Sequence, residues 1–215
     1  MRYHSCINGK AFQVAKEDFM EFKWLNESKI KTSGDQIEIL APPQSDFFYN
    51  NGSINEDGIT PESLCNAPFY YTEPTGDFVM KVQVSHDFKD TYDSASIMVM
   101  QDIKNWAKAC FEKTDFNTHA AVSVISRNGE CDDANGCNIE GKNAWLQICR
   151  CGDSFAFHYS TDGQQFYMMR FFNFAAGSTV KVGLSAHAPV GNGGIRTFSN
   201  LIIENKTVKN IREGM

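Results

Sequence analysis

The chain has 215 residues, 42% of them apolar and 21% charged, with a net charge of −6. That composition describes an ordinary globular protein of one domain, long enough to bury about 70% of the surface its unfolded chain exposes. It excludes a nucleic-acid binder, which needs clustered Lys and Arg, and it offers no run apolar enough to span a membrane.

The opening stretch, MRYHSCINGKAFQVAKEDF, carries no apolar run of signal-peptide length, which predicts a cytoplasmic protein. The sequons at Asn26, Asn51 and Asn205 are then chance matches to a short motif. Around Phe19, Phe22 and Trp24 the pattern fits a helical turn or a strand. QIEILA (36–41) alternates as a strand and stops at Pro42-Pro43, and residues 44–67 read as a long loop with one helical turn begun at Thr60-Pro61.

Residues 76–112 alternate with a period of two and predict three successive strands. Phe78, Met80, Val82 and Val84 share one parity, and the strand around Ile97–Met100 is apolar on both faces. In the third strand Trp106, Lys108, Cys110 and Glu112 share a face, which suits a ligand-reading surface. AAVSVIS (120–126) is another strand, whereas 127–143 is turn-rich and reads as a surface excursion. Residues 144–174 predict three strands around turns at Gly152-Asp153 and Asp162-Gly163, with TVKVGLSAHAP and TFSNLIIEN completing nine to eleven strands. So many short strands with no long amphipathic helix predict an all-β protein, a sandwich or a barrel.

Several blocks in order resemble one family: WLNES (24–28), SDFFYN (45–50), GDF (76–78), YDSASIMVMQD (92–102), NWAKACFE (105–112), SRNGECDD (126–133), WLQICRCGDSFAFHYSTDGQQF (145–166) and KVGLSAHAP (181–189). The most specific are D-x-x-x-W-x-K at Asp102, Trp106 and Lys108, and Y-S-x-D-G at 159–163. From about Trp24 to Ile203 the chain resembles the regulation-of-enolase-like family, a domain of unknown function. The resemblance implies a concanavalin A-like jelly-roll sandwich of two antiparallel sheets with one concave face. It implies no defined activity, and a fold alone does not license one.

The candidate ligand-binding residues are Asp102, Trp106, Lys108, Glu112, Arg127, Trp145, Arg150, His158 and His187. An aromatic face stacks on the C–H face of a sugar while polar groups bond its hydroxyls, so carbohydrate is the favoured ligand class of a non-catalytic binding or regulatory domain. Trp145 and Arg150 fall on opposite faces of their strand, so only one of them can join the others. The first alternative is a glycan-active hydrolase, for which Asp102 and Glu112 would be the acid/base pair. Sandwich glucanases that look like this fold carry Glu-x-Asp-x-x-Glu on a strand. Here Glu130-Cys131-Asp132-Asp133-Ala134-Asn135 ends in Asn and falls in the turn-rich segment. The second alternative is a module that modulates a metabolic enzyme through a protein contact, although the sequence names no protein partner.

No cofactor motif is present, and none is expected to be needed. A four-sulfur zinc site from Cys131, Cys137, Cys149 and Cys151 lacks the usual C-x-x-C pairs, and a calcium site from Asp132, Asp133, Asn135 and Asn138 matches no EF-hand loop. Cys110 shares a face with Lys108, whose charge would lower a thiol's pKa, but the favoured reading is a half-buried, inert thiol. Seven cysteines and no leader argue against a disulfide framework.

Overall fold

A computed structural model describes residues 20–49 and 64–215. The helical turn expected at Thr60-Pro61 lies outside the described residues. The described residues form sixteen strands, more than the sequence pattern separates, because short polar strands carry little periodicity. In chain order they begin with β1 Lys23–Leu25, β2 Ile30–Ser33, β3 Gln36–Ala41, β4 Phe47–Phe48 and β5 Leu64–Cys65. Next come β6 Phe69–Thr72, β7 Phe78–Ser85, β8 Ser94–Asp102, β9 Asn105–Lys113, β10 His119–Arg127 and β11 Glu130–Asn138. The chain ends with β12 Asn143–Cys151, β13 Ser154–Ser160, β14 Tyr167–Asn173, β15 Lys181–His187 and β16 Gly194–Glu204.

Two antiparallel sheets of seven strands pack as a sandwich, the architecture of a concanavalin A-like jelly roll. The first has the order β1-β6-β15-β8-β9-β10-β11 and the second β14-β13-β12-β7-β16-β3-β2, with β4-β5 a separate ribbon. Alternation builds the core. Phe78, Met80, Val82 and Val84 of β7 meet Ala95, Ile97 and Val99 of β8 and Ala107, Ala109 and Phe111 of β9, all without solvent exposure. Phe155 and Phe157 of β13 and Val182, Leu184 and Ala186 of β15 join the same core.

Strand β8 is apolar on both faces because both are covered. On the outer face of the first sheet, Met98, Met100, Trp106 and Val124 form a second cluster with Phe47, Ala67 and Phe69. The covering layer is the segment 45–49. It is stitched to the end of β15 by Ser45 N–H to the Ala188 carbonyl (3.2 Å) and Ala188 N–H to the Ser45 carbonyl (2.9 Å). On the outer face of the second sheet, the C-terminal residues Val208 and Ile211 pack against Val79 and Cys149. Among the described residues, no helix is long and apolar enough to cross a membrane.

One segment corrects the sequence reading. Residues 130–138, expected as a loop, are the edge strand β11, paired in register with β10 from Arg127↔Glu130 to Val122↔Asn135. Nearly all of its side chains are exposed, so no hydrophobic alternation marks it; the backbone ladder alone makes it a strand. A bulge interrupts the pairing between Ala120 and Val122. There Gly136 lies so close to β10 that a Cβ on it would sit 2.6 Å from the Ala121 carbonyl oxygen.

Candidate functional site

The register of β8, β9 and β10 sets the site. Met100↔Trp106, Met98↔Lys108, Ser96↔Cys110 and Ser94↔Glu112 pair across the first sheet, and Val124 and Val122 continue the rows onto β10. Period two therefore places Trp106, Lys108, Cys110 and Glu112 on the outer face, as their parity predicts. His187 joins them through its pairing with Ser94.

The covering segment then brings Asp46 down onto that face. Its Oδ1 accepts from Lys108 Nζ at 2.6 Å, from His187 Nδ1–H at 2.7 Å and from the Phe47 N–H at 2.8 Å. Burial opposes ionisation of Asp46, but the Lys108 charge and the His187 hydrogen bond outweigh it and hold the carboxyl well below the usual carboxylate range. Burial likewise works against the Lys108 ammonium, and the Asp46 carboxylate overcomes it, so the proton is held more tightly than on a free lysine. His187 is pushed down to about 4 by burial and by the Lys108 charge, and is a neutral imidazole whose Nδ1 carries the hydrogen.

Beside this pair lies a cleft of about 150 Å³. Lys108 and Glu112 of β9 and Val122 and Val124 of β10 line its sheet side. Asp133 and Asn135 of β11 bound one flank, and Asp46, Phe48, Tyr92, Asp115 and Pro189 close the rest. A volume below the ~300 Å³ of a typical drug-sized pocket suits one sugar ring or a small polar molecule. Glu112 is 9% exposed and makes no hydrogen bond to a described residue. Burial raises its carboxyl to about 8; Lys108 opposes that, while Asp46, Asp133 and Asp115 reinforce it. At neutral pH it is chiefly a carboxylic acid, able both to donate and to accept.

The nine candidate residues do not converge. Lys108, Glu112 and His187 gather around Asp46. Trp106 is on the same face but is 0% exposed, wedged between Phe47 (5.9 Å, edge-on) and Tyr49 (6.4 Å, stacked), with its indole N–H donated to the Ile103 carbonyl. It is a plug under the covering segment and offers no face to a ligand. Asp102 sits in the β8–β9 turn, where it accepts from the Lys104 and Asn105 N–H groups. Arg127 is exposed at the β10–β11 turn, on the parity of Ala121 and Ile125.

Trp145, Arg150 and His158 belong to the other sheet. Trp145 packs half-buried over the turn at Gly163. Arg150 has the inward parity of Leu146 and Ile148, so it closes the end of the core, donating to the carbonyls of Gly152 and Gly177 and lying over Phe155. His158 is buried beneath the C-terminal segment, 3.2 Å from the Arg212 carbonyl. Sequence parity cannot say which sheet a strand joins, so it does not separate these three from the residues of the first sheet.

Other chemistry changes too. Asp102 pairs with Asn105, seven residues before Glu112, which puts the two about 23 Å apart along β9, too far for an acid/base pair. Cys131 lies in the cluster around Trp106 and Cys149 in that of Val79 and Val208, so the four sulfurs do not meet. Among the described residues no three His, Cys, Asp or Glu side chains gather to hold a metal. The oxygens proposed for calcium are divided, since Asp132 bonds Arg170 of β14 at 2.9 Å while Asp133 lines the cleft. Burial pushes the Cys110 thiol up to about 12 despite the Lys108 charge, which leaves it unreactive.

Asp46 is the residue that sequence reasoning missed. It stands in SDFFYN, a polar stretch whose partners are 62 and 141 residues away. The available signal was a lone acidic residue directly preceding the aromatic run Phe47-Phe48-Tyr49.

The fold is a double-sheet antiparallel sandwich with this cleft on the outer face of its first sheet. The chain belongs to DUF1349, a family of proteins of unknown function whose model matches residues 24–206. A functionally unknown protein from Saccharomyces cerevisiae is similar in structure, with a TM-score of 0.74 and 23% identity over 88% of this chain and 97% of that one. The carbohydrate-binding module CBM66 from Bacillus subtilis gives a TM-score of 0.56 and 13% identity over 90% of this chain and 99% of that one. The GH43 BlXynB protein from Bacillus licheniformis gives 0.59 and 14% over 79% of this chain, which spans 32% of that longer one. At these identities the likeness is one of fold. No curated protein matches the sequence.

Proposed function

We propose that this chain is a single-domain, non-catalytic β-sandwich that binds a small polyhydroxylated ligand, carbohydrate in class, in the cleft over β9–β11. The observation that carries this reading is the Glu112 carboxyl, buried, without a hydrogen-bond partner among the described residues, and lining that cleft. Its oxygens are not among the polar atoms sealed from solvent, so they open to the cleft, where a ligand hydroxyl takes the place of water. Phe48 and Tyr92 supply the aromatic surface that Trp106 does not, and Asn135 supplies an amide. The likeness in fold to a carbohydrate-binding module agrees with this class.

Of the candidate residues, Lys108 and Glu112 line the proposed site, and His187 supports it through Asp46. Cytoplasmic placement belongs to the same proposal. It is supported by the six described cysteines, all free thiols, as a reducing compartment would keep them.

The test is a panel of glycans and polysaccharides offered to the full chain and to Asn135→Trp, which fills the cleft from an exposed position. Binding that Asn135→Trp abolishes at unchanged melting temperature supports the site; undiminished binding overturns it. One observation favours a hydrolase, the Glu112 carboxyl held up at about 8, as a general acid requires. Reducing-sugar release from any bound glycan would move the assignment to that class.

A further inference from the structure

The cleft carries more acid than the sandwich needs. Glu112, Asp115 and Asp133 line it, while Lys108 is already committed to Asp46 at 2.6 Å. An anionic ligand would therefore meet three carboxyl groups besides the paired Asp46, and no uncommitted cation on the lining. A neutral sugar would satisfy Glu112 but leave the field of Asp115 and Asp133 unanswered. Glu112, Asp115 and Asp133 favour a cation, and Lys108, the one cation on the lining, is offset by Asp46.

Resting on the polyol reading of the same cleft, we propose that its ligand carries an ammonium group, an amino sugar in chemical class, with Glu112 facing the ammonium and Asn135 a hydroxyl. One buried carboxyl, Glu112, with the exposed Asp115 and Asp133 beside it, suits a compact ammonium with three donors. The groups facing Glu112 are Lys108 and Cys110 from its own strand, Asp46 from the covering segment, Asp115 from the β9–β10 loop and Asp133 from β11. Tyr92 stands before β8, and His187 lies across Ser94 on β15. Only Lys108 among them is cationic, and it opposes the carboxylate's proton uptake without reversing it. An arriving ammonium adds the missing positive charge. Glu112 then gives its proton to the buffer and becomes the ammonium's counter-ion.

The test is calorimetric titration of the full chain with glucosamine, N-acetylglucosamine, glucose and glucuronate at pH 7, in two buffers of different ionisation enthalpy. The expected result is glucosamine binding at least about tenfold more tightly than N-acetylglucosamine, glucuronate binding weakest, and proton release on glucosamine binding. Glu112→Gln abolishes the proton release and brings glucosamine to the affinity of the neutral sugars; Asp133→Asn, at an exposed position, weakens glucosamine selectively. Equal affinity for glucosamine and the neutral sugars overturns the ammonium and leaves the polyol reading standing. Preference for glucuronate also overturns it, and no binding of any probe removes both.

Discussion

The Lys108 ammonium and the Asp46 carboxylate lie 2.6 Å apart, both nearly out of solvent, on elements 62 residues apart in the chain. One belongs to the first sheet and the other to the segment that covers it. Such a pair gains little over well-packed apolar residues, because desolvation cancels most of the attraction, but breaking it strands a charge. Its effect is to hold the covering segment at one place beside the cleft.

Asp46→Ala should therefore lower stability by about 3–5 kcal/mol, leaving Lys108 buried and alone. The double variant Asp46→Leu with Lys108→Met should recover much of that loss. Denaturant unfolding of the three proteins measures both, and a double variant as unstable as the single one contradicts the account.

The cleft should show in the pH dependence of stability. Glu112 is raised from its ordinary range to about 8, so the folded chain holds a proton that the unfolded chain releases above about 4.5. Its contribution is fully present below that value and is lost as pH rises through about 8. His187, depressed to about 4, acts oppositely: its contribution is present above about 6.5 and is lost as pH falls through 4. Melting curves from pH 4.5 to 9 should show Glu112→Gln gaining on the wild type toward alkaline pH, with the difference shrinking toward pH 4.5. A difference independent of pH contradicts the buried acid.

Trp106→Ala should destabilise by about 3–5 kcal/mol, since it empties a packed site. Any loss of binding should follow the loss of fold and disappear under stabilising conditions. A stably folded Trp106→Ala that no longer binds ligand would return the indole to the site.

In the Y-S-x-D-G block the hydroxyl of Ser160 donates to Asp162 Oδ1, which accepts from the N–H groups of Gln164 and Gln165. Gly163 sits at φ 74°, and a Cβ there would lie 2.7 Å from Trp145 Nε1. Gly163→Ala should cost about 1–3 kcal/mol in thermal or chemical unfolding, with no change in ligand affinity. The block is a turn packed on an indole, and its prominence in the sequence reflects folding.

The legible part of the fold was the part with apolar alternation. Phe78–Val84, Ile97 with Val99, and Phe155–Phe157 each declared a strand and a core face. β11 did not, because an edge strand wet on both faces has no pattern to show. Parity also put Lys108, Cys110 and Glu112 on one face, yet it could not reveal that residues 45–49 fold over them and seal Trp106. That contact spans a sequence separation no local pattern reports, and it is what turned a presumed aromatic platform into a buried plug beside a small acidic cleft.

The most direct measurement is titration of the isotope-labelled chain with amino and neutral sugars, following its backbone amide resonances. Shifts confined to Lys108–Glu112, Val122–Val124 and Asp133–Asn135 are the predicted result. Shifts centred instead on Trp145 and the second sheet, or no shifts with any sugar, would contradict a ligand site over β9–β11.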